Sequence, residues 1–81
     1  QLPEAKDRFL LWNKAFKGLA NFPEKFIKDL SETYELSGGS IKNVIQYSWL
    51  LSKKNKSEIN EKHVLAGIKK ELNKDGKSFT F

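Results

Sequence analysis

The sequence contains no cysteine and no methionine, and it has only one histidine and two prolines among its 81 residues. Without cysteine there is neither a disulfide framework nor a thiol nucleophile. A zinc site is not expected, because most structural sites need several Cys or His ligands. No apolar run approaches the roughly 20 residues that a membrane-spanning helix needs. We therefore expect a cytoplasmic protein with no membrane segment in this chain.

Length and charge further limit the classes of protein to which the chain can belong. A chain of 81 residues suits one small core. The net charge is +5, and because residues 1–40 carry six basic and six acidic side chains, the whole excess lies in residues 41–81. Such a lysine-rich half suits a phosphate-rich partner such as nucleic acid, or it is simply a solvated helical surface. Because the chain opens at Gln1 in a helix-like pattern, we expect it to be part of a longer protein.

Hydrophobic periodicity predicts four helices and no strand. They are expected at residues 3–17, 23–36, 40–54 and 61–73. Pro3 and Pro23 suit first helical positions, Ser40 and Asn60 are expected N-caps, and Gly18 is an expected C-terminal stop. The expected buried positions are Phe9, Trp12 and Phe16, then Phe26, Ile27, Leu30 and Tyr34, then Ile41, Val44, Ile45, Ser48, Leu50 and Leu51 with Trp49, and finally Val64, Leu65, Ile68 and Leu72.

These helices predict an all-α fold, a small four-helix bundle. We expect one helical domain over residues 1–76 and a short tail over residues 77–81. The tail ends in Phe79-Thr80-Phe81, which is expected to fray unless the two phenylalanines dock.

The residues that carry chemistry are few. There is no P-loop signature, because no Gly-Lys-Ser/Thr follows a Gly-rich strand end. His63 has no catalytic partner that can be read from the sequence, so an ordinary exposed or half-buried helix position is favoured. Ser37 and Ser40 lack the pattern of a nucleophile elbow and are interpreted as capping or turn residues. The chain is not expected to be catalytic by itself.

The most informative stretch is Ser37-Gly38-Gly39-Ser40-Ile41-Lys42. A glycine turn that leads into a helix leaves backbone N–H groups unpaired at the positive end of the helix dipole, where they can receive an anion. Lys42 can add positive charge in the same direction. A simple turn between helices explains the same residues, and local physics alone favours that simpler interpretation.

At these residues the chain resembles the C-terminal helical lid of AAA+ ATPases of the AAA and FtsH-like type. The family's third lid helix begins Ser-Gly-Ala-Asp-Ile/Leu, with an apolar position three residues on and a small residue four further. The last helix of the family is entered through an Ile-Thr-x-Glu-Asp-Phe-like stretch, and the first carries Pro, then Arg, then an apolar run. The matching residues here are Ser37 to Ile41, Val44 and Ser48, then Ile59 to Val64, and finally Pro3, Arg8 and Phe9 to Trp12.

The resemblance spans residues 3–72, and it implies a module that closes over ATP. Gly38, Gly39, Ser40 and Lys42 would face the nucleotide. The ATP, its magnesium and the catalytic groups would sit on an α/β domain of the same polypeptide that this chain lacks. The lid would relay nucleotide state to neighbouring subunits of a ring, usually a hexamer. The longer protein would be the ATPase.

The chain departs from the family pattern at two of these positions. Gly39 stands where Ala is common, and Ser40 stands where the family has Asp or, in other branches, a sensor-2 arginine. A direct arginine contact to the γ-phosphate is therefore not supplied there, and the sequence leaves open whether Lys42 replaces it. Two other classes stay open as well: a stand-alone basic domain that binds nucleic acid, and a protein-interaction module.

Overall fold

The computed structural model describes residues 2–74, and these residues form four α-helices and no strand. The helices are α1 (Ala5–Phe16), α2 (Glu24–Thr33), α3 (Gly38–Lys54) and α4 (Glu61–Lys74). The predicted all-α class with four helices is confirmed. Within the described range, no helix combines the length and the apolar character needed to cross a bilayer. The predicted tail, residues 77–81, lies outside the described residues.

The chain divides into two compact units, Gln1–Lys42 and Asn43–Phe81, and the division falls inside α3. The predicted single domain over residues 1–76 stays a prediction. Several predicted helix boundaries differ from those of the structure. Pro3 precedes the Glu4 N-cap of α1 and Pro23 is itself the N-cap residue of α2, so the prediction of both as first helical residues is wrong. The second helix ends at Thr33, because Tyr34 adopts an extended conformation with φ −113° and ψ 115°. The third helix begins at Gly38, so both glycines lie inside it.

In the first unit, aromatic rings connect α1 to the start of α2. Trp12 and Phe16 stack with centroids 5.5 Å apart, Phe16 meets Phe22 at 4.9 Å, and Phe22 meets Phe26 at 5.0 Å. Ring pairs at these separations stabilise a core beyond the area that they bury. Trp12 is fully buried, as the sequence predicts.

In the second unit, α3 and α4 approach closely at Gly67. A Cβ atom built at Gly67 would lie 3.0 Å from Val44 Cγ1 and 3.1 Å from the Val44 carbonyl oxygen. A side chain there would require the neighbouring part of α3 to shift by a few tenths of an ångström, so glycine permits the close approach of the two helices. The buried positions predicted at Val44, Ile45, Ser48, Val64, Ile68 and Leu72 are confirmed. The positions predicted for Trp49 and Leu50 are wrong, because these side chains are 44% and 57% exposed.

Two helices end in turns that need a left-handed residue. After α1, Phe16 O accepts from Leu19 N at 2.8 Å across a type II turn, and Gly18 supplies the required positive φ of 81°. After α3, the N–H groups of Lys56 and Ser57 bond to Lys53 O and Ser52 O, which is the Schellman pattern. There the left-handed position is taken by Lys56, with φ 54°, rather than by glycine.

Candidate functional site

The candidate site is the N-terminus of α3, and Ser37 caps it. The Ser37 hydroxyl accepts a hydrogen bond from Ser40 N at 3.1 Å, and Ser37 O accepts from Ile41 N at 3.0 Å. These are the two bonds of an N-cap residue. The predicted N-cap at Ser40 is therefore wrong. The cap is Ser37, three residues before the predicted one. Glycine destabilises the interior of a helix, and this cost does not prevent Gly38 and Gly39 from forming the first turn.

Neither glycine of this first turn is required by the chain's own packing. Neither has a positive φ, because among the described glycines only Gly18 does. A Cβ at Gly38 would lie 3.8 Å from Leu11 Cδ1, and one at Gly39 would lie 3.9 Å from the Ser37 hydroxyl. Both distances are ordinary van der Waals contacts. Alanine would fit at either position, and its preference over glycine of roughly 1 kcal/mol in a helix interior is an upper limit for these first-turn positions.

Three of the four predicted site residues share one exposed face. Gly38, Gly39 and Lys42 are exposed, and Lys42 follows the two glycines by four and three residues along the helix. This spacing places Lys42 above them on the same side, and a long helical side chain leans back toward the N-terminus. Ser40 is half-buried, and its N–H is taken by Ser37.

The first turn of α3 carries no acidic side chain. The other three helices carry an acidic residue in the first turn, namely Asp7, Glu24 and Glu61, whereas α3 has none. The N–H groups of the first helical residues have no partner within the helix, and the helix dipole adds partial positive charge. Because Ser40 N already donates to the Ser37 hydroxyl, the N–H groups of Gly38 and Gly39 are the ones that can donate hydrogen bonds to an oxygen of a ligand.

Arg8, which the family pattern matches, has a structural position. It is 5% exposed; its Nε donates to Ser31 O at 2.8 Å, and one terminal nitrogen donates to Pro3 O. Ser31 lies in the last turn of α2, where carbonyl groups lack helical partners and the dipole is negative. The guanidinium therefore joins α1 to the C-terminal end of α2. Its burial and its bonds to two backbone oxygens give Arg8 a structural role within the first unit.

His63 is buried rather than exposed or half-buried, with 5% of its surface accessible. Asn60 caps α4 as predicted: its side-chain oxygen accepts from His63 N at 3.0 Å, and His63 Nδ1 accepts from Asn60 N at 3.2 Å. This is the reciprocal pattern of a capping box, with histidine in the place of the usual Glu or Gln. The periodicity gave no signal for it, because the third position of a helix is normally exposed.

The tautomer of His63 follows from these bonds. Since Nδ1 accepts, the ring proton of the neutral imidazole is on Nε2. Nε2 lies 3.1 Å from Asn55 Nδ2. A protonated Nε2 therefore requires the opposite assignment of the Asn55 amide, with its oxygen facing the ring. Both ring nitrogens are thus used to join the 55–60 loop to α4. These contacts give His63 a structural role at the start of α4.

The described residues also form a groove within each unit. One, between α1 and α2, encloses about 620 Å³ and includes Phe9 and Leu10; the other, between α3 and α4, encloses about 250 Å³ and includes Leu50 and Glu71. Neither is lined by the four predicted site residues. Among residues 2–74, no group of three or more potential metal-ligating side chains comes together.

Comparisons with known proteins found no relative of this chain. No family model, no curated protein and no solved structure matches the chain. The functional interpretation therefore depends on the residues themselves and on the resemblance carried by their order and spacing.

Proposed function

We propose that this chain is the C-terminal lid of an AAA+ ATPase, which closes over ATP bound to an α/β domain of the same polypeptide. The observation that carries the proposal is the pair Gly38-Gly39 at the exposed start of α3. Both positions have room for a Cβ atom, and both would gain helix propensity with alanine. A ligand that approaches the backbone closely accounts for glycine where the chain's own packing does not.

The positions of the other family-like residues support the same proposal. Val44 and Ser48 follow Ile41 on the buried side of α3, with Ser48 fully buried and its hydroxyl bonded to Val44 O at 2.7 Å. Ile59 and Val64 flank the start of α4, and both are buried. A small residue at position 48 is what the resemblance implies, and Ile59 and Val64 stand at the positions of a hydrophobic staple at the start of the last helix.

In this function the chain supplies no catalytic group. The N–H groups of Gly38 and Gly39 would bind an oxygen of the nucleotide, and Lys42 would add positive charge. The metal ligands, the P-loop and the residues that attack or stabilise the γ-phosphate would belong to the α/β domain. Movement of the lid would pass nucleotide state to neighbouring subunits of a ring, usually a hexamer, in the cytoplasm. The chain alone is expected neither to hydrolyse ATP nor to bind it tightly.

The test uses the polypeptide in which this chain follows its α/β domain. Gly39→Val adds a side chain at the second helical residue, and we expect ATP affinity to fall by about tenfold or more, equivalent to roughly 1.4 kcal/mol. Lys62→Val is the matched control, because Lys62 is the exposed second residue of α4. Unchanged ATP affinity in Gly39→Val would contradict the nucleotide-facing role. A polypeptide without a P-loop ahead of this chain would contradict the whole proposal.

A further inference from the structure

The second unit has an unbalanced surface charge. Residues 43–74 contain seven lysines and three acidic side chains, a net charge of +4. All seven lysines are exposed, whereas Glu71 is buried, so only Glu58 and Glu61 oppose them at the surface. A surface of this kind attracts an anionic partner and repels a cationic one.

Two large apolar side chains lie within this basic surface. Trp49 and Leu50 are neighbours on α3 and are 44% and 57% exposed. They point outward because the buried face of α3 is already occupied by Val44, Ile45 and Ser48. Lys53 Nζ lies 5.4 Å from the centre of the Trp49 ring, so the ring carries a cation on one side. Exposed apolar side chains that lie together and are rimmed by charge are typical of an interaction surface.

Leu50 also lines the groove between α3 and α4. Lys70 and Lys74 of α4 line the same groove, and Lys70 Nζ lies 5.4 Å from the centre of the Tyr47 ring. Glu71 also lines this groove, and its buried carboxylate accepts a hydrogen bond from Asn43 Nδ2 at 3.2 Å. We call Trp49, Leu50, Lys53, Lys70 and Lys74 the lysine-rimmed surface. It offers an apolar centre with ammonium groups on both helices.

We propose that the lysine-rimmed surface binds an acidic amphipathic helix of a partner protein. In this mode a helix lays an apolar stripe in a groove between two helices, and its flanking carboxylates lie beside the rim. Leu50 and Trp49 contact the stripe, and Lys53, Lys70 and Lys74 contact the carboxylates. This inference depends only on the second unit and does not rest on the proposed ATPase function.

The other occupants fit this surface less well. Nucleic acid would use the lysines, but base recognition relies strongly on arginine, and Arg8 is buried and bonded to backbone oxygens. Leu50 would gain nothing from a phosphate backbone. A second copy of this chain also carries +5, so bringing two copies together is opposed by their charge.

The experiment uses the full chain and a synthetic helical peptide of about five turns, with leucines on one face and glutamates elsewhere, labelled for fluorescence anisotropy. We expect saturable binding that weakens with salt. We expect Leu50→Glu to weaken it by at least about tenfold, and the Lys70→Glu/Lys74→Glu variant to weaken it similarly and to flatten the salt dependence. Leu10→Glu is the matched control, since Leu10 is a 65% exposed leucine on α1. Circular dichroism checks that all variants remain folded.

Four outcomes would overturn the proposal. Equal binding by Leu50→Glu and the unmodified chain would show that the apolar centre is not used. Equal binding of a peptide with the same composition in scrambled order would show that charge alone causes the binding. Binding of oligothymidylate but not of the peptide would assign the surface to nucleic acid. A dimer in analytical ultracentrifugation that Leu50→Glu dissociates would assign it to a second copy.

Discussion

Replacing Gly67 with alanine tests the closest helix contact in the chain. The new Cβ would lie 3.0 Å, 3.1 Å and 3.3 Å from Val44 Cγ1, O and Cα, respectively. Carbon atoms in contact prefer about 3.5–4.0 Å. Two of the three atoms belong to the backbone of α3, so they cannot move aside as a side chain can. The substitution therefore forces the two helices apart locally.

The expected magnitude combines two opposing terms. Overpacking of a tight core costs about 1–3 kcal/mol. Alanine recovers roughly 1 kcal/mol through its higher helix propensity. We expect Gly67→Ala to lower the free energy of unfolding by about 1 kcal/mol, within a range of about 0–2 kcal/mol. For a domain of this size 1 kcal/mol corresponds to a fall in Tm of about 4–8 °C.

Gly39→Ala is the matched control for this measurement. Position 39 is also helical, but the nearest atom to its new Cβ would be the Ser37 hydroxyl at 3.9 Å. We expect no loss and a gain of up to roughly 1 kcal/mol. When the two variants are compared by urea unfolding, the difference is a lower limit for the overpacking cost, because the propensity gain is at most as large at position 39 as at position 67. If Gly67→Ala were as stable as Gly39→Ala, the close approach of α3 and α4 would be refuted.

Three further substitutions test other parts of the fold by thermal and urea denaturation. Lys56→Gly should raise stability by about 1 kcal/mol, because glycine adopts the left-handed conformation of residue 56 without strain; a loss would contradict the Schellman ending of α3. Arg8→Met should cost about 2–3 kcal/mol, since Ser31 O would lose its donor; no loss would show that the guanidinium bonds are dispensable. His63→Ala should cost about 1 kcal/mol and His63→Gln less, because glutamine can also accept from Asn60 N; equal losses would exclude the capping box.

Features that depend on local chemistry were predictable from the sequence. Asn60 is the N-cap of α4 because its short side chain reaches the third backbone N–H, and this needs no knowledge of the rest of the fold. Gly18 ends α1 because few other residues tolerate its φ of 81°. The apolar stripe of α4 at Val64, Ile68 and Leu72 follows from helical periodicity, and all three are buried.

Features that depend on packing were not predictable. Leu50 fits the periodicity of α3 as well as Leu51, but the helix buries a narrower stripe, so Leu50 is exposed. Tyr34 was expected to continue α2, yet the chain leaves the helix there and Leu36, two residues later, is buried. A single sequence does not show how much of an apolar face finds a neighbour.

The start of α3 was predictable only in part, and it shows why the candidate function needs its own test. Glycine lowers helix propensity, so the sequence favoured a turn at Gly38-Gly39, but the Ser37 cap begins the helix before them. The fold therefore keeps two glycines in a helix where alanine would fit. Because their replacement by alanine is expected to preserve or raise stability, any loss of function in Gly38 or Gly39 variants reports on what approaches the backbone from outside. At Gly67 the same change alters folding, so only the glycines of the α3 N-terminus separate function from stability.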